Sequence, residues 1–87
     1  MTTKRGAPTD PNARITRNVV IRGRRTSIRL ESAFWELVES VSRAEGLKVG
    51  DLLSEIDGRR GPLNLAAATR LFVASYVRDM PPRQARS

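Results

Sequence analysis

Arg25, Ser27 and Arg29 alternate along the stretch Arg24-Arg25-Thr26-Ser27-Ile28-Arg29-Leu30-Glu31. Two guanidinium forks flanking a hydroxyl can donate in pairs to guanine O6 and N7, adapt to other bases, or grip phosphate oxygens. With a period of two, Thr26, Ile28 and Leu30 fall on the opposite side. Apolar on one face and hydrogen-bonding on the other is the pattern of a half-buried strand. The chemistry it predicts is recognition of a polyanion, with Arg24 as a phosphate contact from the start of the strand. The chain has no cysteine and no histidine, which removes disulfides, thiolate metal sites and most nucleophile–base pairs. Glu55 and Asp57 lie two apart on a predicted helix and so do not share a face as a carboxylate pair would. The expectation is a protein with no catalytic residue, no metal and no cofactor.

The charge distribution agrees. Of 87 residues, 16 are basic and 9 acidic, for a formal +7. Residues 1–30 carry Lys4, Arg5, Arg14, Arg17, Arg22, Arg24, Arg25 and Arg29 against Asp10 alone, whereas residues 31–80 are slightly acidic. A basic leading segment ahead of a weakly acidic body favours nucleic acid. No apolar run approaches the roughly 20 residues that span a bilayer, and the N-terminus lacks the apolar core of a secretory signal. The expected location is the cytoplasm, with nucleoid association when bound, and no membrane partner.

Three helices must position the strand. Phe34, Leu37, Val38, Val41 and Ala44 fall on one helical stripe, with Ser32 as the expected N-cap and Gly46 as the left-handed terminator, so the first helix is predicted at 32–45. Val49, Leu52, Leu53 and Ile56 make a second stripe at 49–58, closed before the Arg59-Arg60-Gly61-Pro62 turn. Asn64 caps a third helix at 64–79 with Leu65, Ala68, Phe72, Val73, Tyr76 and Val77 on a broad apolar face, stopped by Pro81-Pro82. Residues 1–18, with Gly6, Pro8 and Pro11 and no apolar periodicity, read as a flexible basic arm, and 80–87 as a short basic tail.

The organisation is therefore mainly α with one short β-strand, at 24–30, in a domain spanning 19–79. A lone strand leaves a row of backbone donors and acceptors unpaired. The expected mate is the same strand of a second copy. Val19-Val20-Ile21 is either a further strand folded back through Arg22-Gly23 or an extended lead-in, and three apolar residues do not decide between them. Trp35 reads as packing at the core or rim of the dimer, Asp57 as a partner for Arg59 or Arg60, and Glu31 as a partner open to Arg25 or Arg29.

The series Arg25-Thr26-Ser27-Ile28-Arg29-Leu30-Glu31, Phe34-Trp35, Ser54-Glu55-Ile56-Asp57, Asn64-Leu65 and Arg70-Leu71-Phe72-Val73 resembles small bacterial members of the ribbon-helix-helix DNA-binding superfamily that carry a third helix. The resemblance covers about residues 19–78. It implies an intertwined homodimer with an intermolecular antiparallel two-stranded ribbon in the major groove of double-stranded DNA. Arg25, Ser27 and Arg29 would touch bases. The N-terminus of the second helix, here Lys48, Val49 and Gly50, would hold a backbone phosphate. Ile28, Leu30, Phe34, Trp35, Leu37, Val38, Val41, Leu52, Leu53 and Ile56 would form the dimer core. The sequence departs from the usual Ser or Thr cap at that second helix, and Asp51 puts a negative charge in its first turn. The function implied is sequence-specific transcription regulation, as a repressor. The alternative on the same scaffold is a protein-interaction module, antitoxin-like or an adaptor, with its partner on the third helix.

Overall fold

Residues Arg14, Thr16, Asn18 and Val20 alternate with Ile15, Arg17, Val19 and Ile21 along an extended segment that pairs with the basic strand of its own chain. A computed structural model describes residues 10–79. Its elements run β1 (Arg14–Ile21), β2 (Arg24–Glu31), α1 (Ser32–Glu45), α2 (Val49–Arg59) and α3 (Leu65–Asp79). The strand count is therefore two, not one, and the mate of β2 lies within the chain. Residues 14–18 of β1 fall in the stretch read as a flexible arm and are strand instead; residues 1–9 and 80–87 lie outside the described residues. The period of two was masked in β1 because Arg17 occupies an inward position and Val20, 59% exposed, an outward one. Arg17 is accommodated by lying 4.6 Å over the Trp35 ring and 2.7 Å from a Glu39 carboxylate oxygen, which together offset its desolvation.

The two strands are antiparallel, with Ile21 opposite Arg24 and Ile15 opposite Leu30. Arg22 and Gly23 form the turn, both at positive φ (52° and 82°), the backbone of the primed two-residue turns that match strand twist. The Ser32 N–H donates to the Ala13 carbonyl at 2.8 Å, and this sets the phase of the ladder. Pairs such as Arg17–Ile28 and Val19–Thr26 exchange hydrogen bonds, and the N–H and C=O groups of Arg25, Ser27 and Arg29 point away from β1.

The hairpin lies on a core closed within one chain. Leu30, Trp35, Val38, Val41, Leu52, Leu53 and Val73 are essentially inaccessible, with Ile28 and Ile56 nearly so and Phe34 and Leu37 packed at the margin. The residues expected to form a dimer core are thus buried by their own chain. The Trp35 indole N–H finds the Ile15 carbonyl at 2.8 Å, so the largest core side chain also ties α1 to β1. The third helix contributes Ala68, Thr69 and Val73 to this core and leaves Leu71 and Val77 exposed.

Two termini of helices behave differently from each other. Gly46 ends α1 at φ 70°, with the N–H groups of Gly46 and Leu47 on the carbonyls of Arg43 and Ser42. At the other end Ser32 is not the cap. It is the first helical residue and buried, its hydroxyl donates to the Asp10 carbonyl at 2.8 Å, and the Ser32 and Ala33 N–H groups go to the carbonyls of Ala13 and Pro11. Backbone carbonyls from the Asp10–Ala13 turn take the orphan donors, so no side-chain cap is required. Asn64 does cap α3, accepting from the Ala67 N–H at 2.8 Å.

Candidate nucleic-acid interface

The outward register of β2 presents Arg25, Ser27 and Arg29, all exposed, and the cross-strand neighbours on that face are Val20, Asn18 and Thr16, also exposed. Hydrogen-bonding side chains thus come from both strands of one hairpin. From Arg25 to Arg29 the row spans about 13 Å, the rise of about four base pairs. Two strands about 4.8 Å apart with their side chains fit a major groove about 12 Å wide. The Ser27 hydroxyl donates to Asn18 Oδ1 at 2.6 Å, which orients the Asn18 amide with its N–H2 group free. Sequence reasoning missed Asn18 and Thr16. Their signal was the alternation of Arg14, Thr16, Asn18 and Val20, hidden by the inward Arg17.

Electrostatics leave the two arginines unspent. Glu31 is the carboxylate next along β2, but it accepts from Arg70 Nε and Nη2 of α3 at 2.9 and 3.3 Å, with Arg14 at 3.7 Å. The hydrogen bond from Arg70 is the main reason that the Glu31 carboxyl sits below its ordinary value of 4.5, with the nearby charges of Arg70 and Arg14 adding to it. Glu39 is engaged by Arg17, Asp57 by Arg22 and Arg60, and Asp79 by Arg78. Arg25 and Arg29 have no ion-pair partner among the described residues. Positive charge on that face is therefore available to a polyanion.

The start of α2 flanks the same hairpin at the β1 side. Lys48 is exposed and stands at the N-cap in extended conformation without a side-chain cap bond. Val49 packs on the core. At Gly50 a Cβ would lie 2.7 Å from the Val20 carbonyl oxygen, so the space that its missing side chain leaves is filled by β1. The Ser54 hydroxyl completes the joint, accepting from the Arg22 N–H at 2.9 Å and donating to the Gly50 carbonyl at 2.8 Å. Arg24 lies apart from Lys48, Val49 and Gly50, in a cleft with Arg22 and Arg60. Asp57 pairs with Arg60 at 2.7 Å as well as with Arg22. Trp35 is buried under Arg17 and does not reach the exposed face.

Among the described residues no group of acidic, cysteine or histidine side chains is arranged to hold a metal ion, and no helix is long and apolar enough to cross a membrane. A family model described as a ribbon-helix-helix domain matches residues 14–77, which takes in all five elements but for the last residues of α3. No curated protein and no solved structure shows a significant match to the chain.

Proposed function

The chain belongs to the ribbon-helix-helix family, whose members are generally DNA-binding regulators, and on that premise we propose that it is a sequence-specific transcriptional regulator that reads the major groove of double-stranded DNA with the outer face of its hairpin. The observation that carries this reading is the exposed Arg25-Ser27-Arg29 row, whose two guanidinium groups have no carboxylate partner among the described residues while Glu31 turns to α3. Bidentate arginine–guanine contacts specify sequence, and Ser27 and Asn18 add adaptable and adenine-directed donors and acceptors. Lys48 and the first N–H groups of α2 flank the row and supply phosphate contacts that set register. The acting form is a homodimer joined along the free edge of β2, where the backbone groups of Arg25, Ser27 and Arg29 have no partner among the described residues. Such a dimer sets the two Arg25-Ser27-Arg29 rows side by side on one face, related by the two-fold axis, to meet one pseudo-palindromic site. Repression from the nucleoid of a bacterial cytoplasm is the role that fits this arrangement. Mobility shifts against a random-sequence duplex library test the reading. Arg25→Ala and Arg29→Ala should each lower discrimination at a guanine by about 1–3 kcal/mol. An unchanged affinity and preferred sequence in the double variant would remove the hairpin as the reader.

A further inference from the structure

Beneath the tip of the hairpin, on the side facing away from the Arg25-Ser27-Arg29 row, a cleft of about 550 Å³ opens between β2, the end of α2 and the start of α3. That volume lies within the range of small-molecule sites. Three arginines line it from three places in the fold: Arg22 from the turn, Arg24 from the start of β2 and Arg60 from the C-cap of α2. One carboxylate answers them. Asp57 accepts from Arg60 Nε at 2.7 Å through Oδ1 and lies 3.6 Å from Arg22 Nη1 through Oδ2. Arg60 Nη1 also donates to the Leu63 carbonyl at 2.7 Å. Arg24 has no hydrogen-bond or ion-pair partner for its side chain among the described residues. The cleft therefore holds a surplus of two positive charges, with two of its three forks already fixed in position.

We propose that this cleft binds a phosphate group. A phosphate monoester carries about −1.5 to −2 at pH 7, which matches the surplus, and its oxygens suit planar guanidinium forks. Asn64 adds a donor: its Oδ1 is committed to the Ala67 N–H, which leaves its N–H2 group for the ligand. Ile21 and Leu65 supply an apolar wall on which the body of a small phosphorylated molecule rests. The turn is shaped for this use. Arg22 holds a left-handed conformation (φ 52°), at a position where asparagine or glycine is the usual residue. The Arg22 guanidinium passes over Gly58 in α2, where a Cβ would stand 3.5 Å from Nη1. Because residues alternate along β2, Arg24 and Arg25 serve opposite faces, and the site is distinct from the groove-facing row. A phosphate can arrive on a free small molecule or as part of a DNA backbone that curls past the hairpin tip.

The test is a titration of the full chain with inorganic phosphate at constant ionic strength, followed by amide and arginine Nε–H resonances, with no DNA present. Saturable shifts centred on Arg22, Arg24, Arg60 and Leu65 are expected, without comparable shifts at Arg25 and Arg29. Arg24→Gln removes an exposed side chain with no hydrogen-bond or ion-pair partner among the described residues, so the fold should persist, and phosphate should bind about tenfold more weakly, the effect of one charge-assisted contact. Arg24→Glu should abolish binding. Arg25→Gln with Arg29→Gln should leave phosphate binding as it was while weakening duplex binding, so a failure of the groove reading is distinguishable from a failure of the cleft. The source of the phosphate follows from duplex binding by Arg24→Gln at several salt concentrations. An unchanged salt slope assigns the cleft to a small phosphorylated molecule, and a slope reduced by about one assigns it to a DNA phosphate. Equal phosphate affinity in Arg24→Gln, shifts spread over every arginine without saturation, or no shifts at all would each overturn the proposal.

Discussion

Glu31 decides which arginines face solvent. Its side chain is the natural partner for Arg29 two residues earlier, yet α3 brings Arg70 within 2.9 Å and claims it. Its folded pKa is depressed, chiefly by that hydrogen bond, so the sign of its linkage is fixed. The stabilisation is complete above the ordinary carboxylate value of 4.5 and is lost as pH falls through the lower, folded value. Urea midpoints of the wild type should therefore drop on acidification below 4.5, and Glu31→Gln should flatten that part of the profile. An identical acid limb in the variant would mean that the Glu31–Arg70 pair is not its source. The same substitution leaves Arg25 and Arg29 in place, so duplex binding near neutral pH should survive it.

α2 meets β1 through a close backbone contact, and two glycines in that helix separate backbone from side-chain effects. At Gly50 the obstacle to a Cβ is the Val20 carbonyl, 2.7 Å away and part of the β1 backbone. Gly50→Ala must push α2 off the hairpin and should destabilise by about 1–3 kcal/mol. At Gly58 the nearest atom, at 3.5 Å, is the far end of the Arg22 side chain. Gly58→Ala should stabilise by up to about 1 kcal/mol through helix propensity. Denaturant midpoints of the two variants check the contrast, and matching losses would show that the α2–β1 contact is looser than drawn. The turn offers a third case. Arg22 at φ 52° bears a left-handed penalty of about 1–2 kcal/mol. Arg22→Asn should relieve part of it, raising stability while removing one fork of the phosphate cleft. A variant that is no more stable would show that the Arg22–Asp57 contact already compensates for the strain.

For the whole molecule, the core is closed without a partner while one sheet edge is not. Seven core side chains from Leu30 to Val73 are at most 2% exposed within the one chain, so the proposed dimer draws on the β2 edge and not on these side chains. In the proposed dimer, pairing Ser27 with its counterpart sets Arg25 opposite Arg29 of the second copy, and like charges directly opposite oppose pairing. Sedimentation equilibrium should then show the dimer tightening as salt rises, by screening. Duplex binding should weaken over the same range as phosphate neutralisation releases counterions. A dimer that loosens with salt would rule out this register, and a strict monomer at every salt concentration would remove the edge-to-edge dimer altogether.

Local rules were readable in the linear chain. The apolar stripes, Gly46 at the end of α1, Asn64 at the start of α3 and the period of two in β2 each depend on residues within a turn or two of one another, and such short-range preferences survive folding. The uneven charge, with eight basic residues against one acidic in residues 1–30, likewise pointed toward nucleic acid from composition alone. What the tertiary structure decided were the long-range partners. Arg17 passes as an inward residue because Trp35 and Glu39, far along the chain, receive it, and that concealed β1. Ser32 lost its capping role to carbonyls of the Asp10–Ala13 turn. Glu31 went to Arg70, Arg22 and Arg60 went to Asp57, and Arg24 came to line the same cleft. Each of those outcomes is a competition among several chemically equivalent candidates, settled by which one packing brings within hydrogen-bond reach.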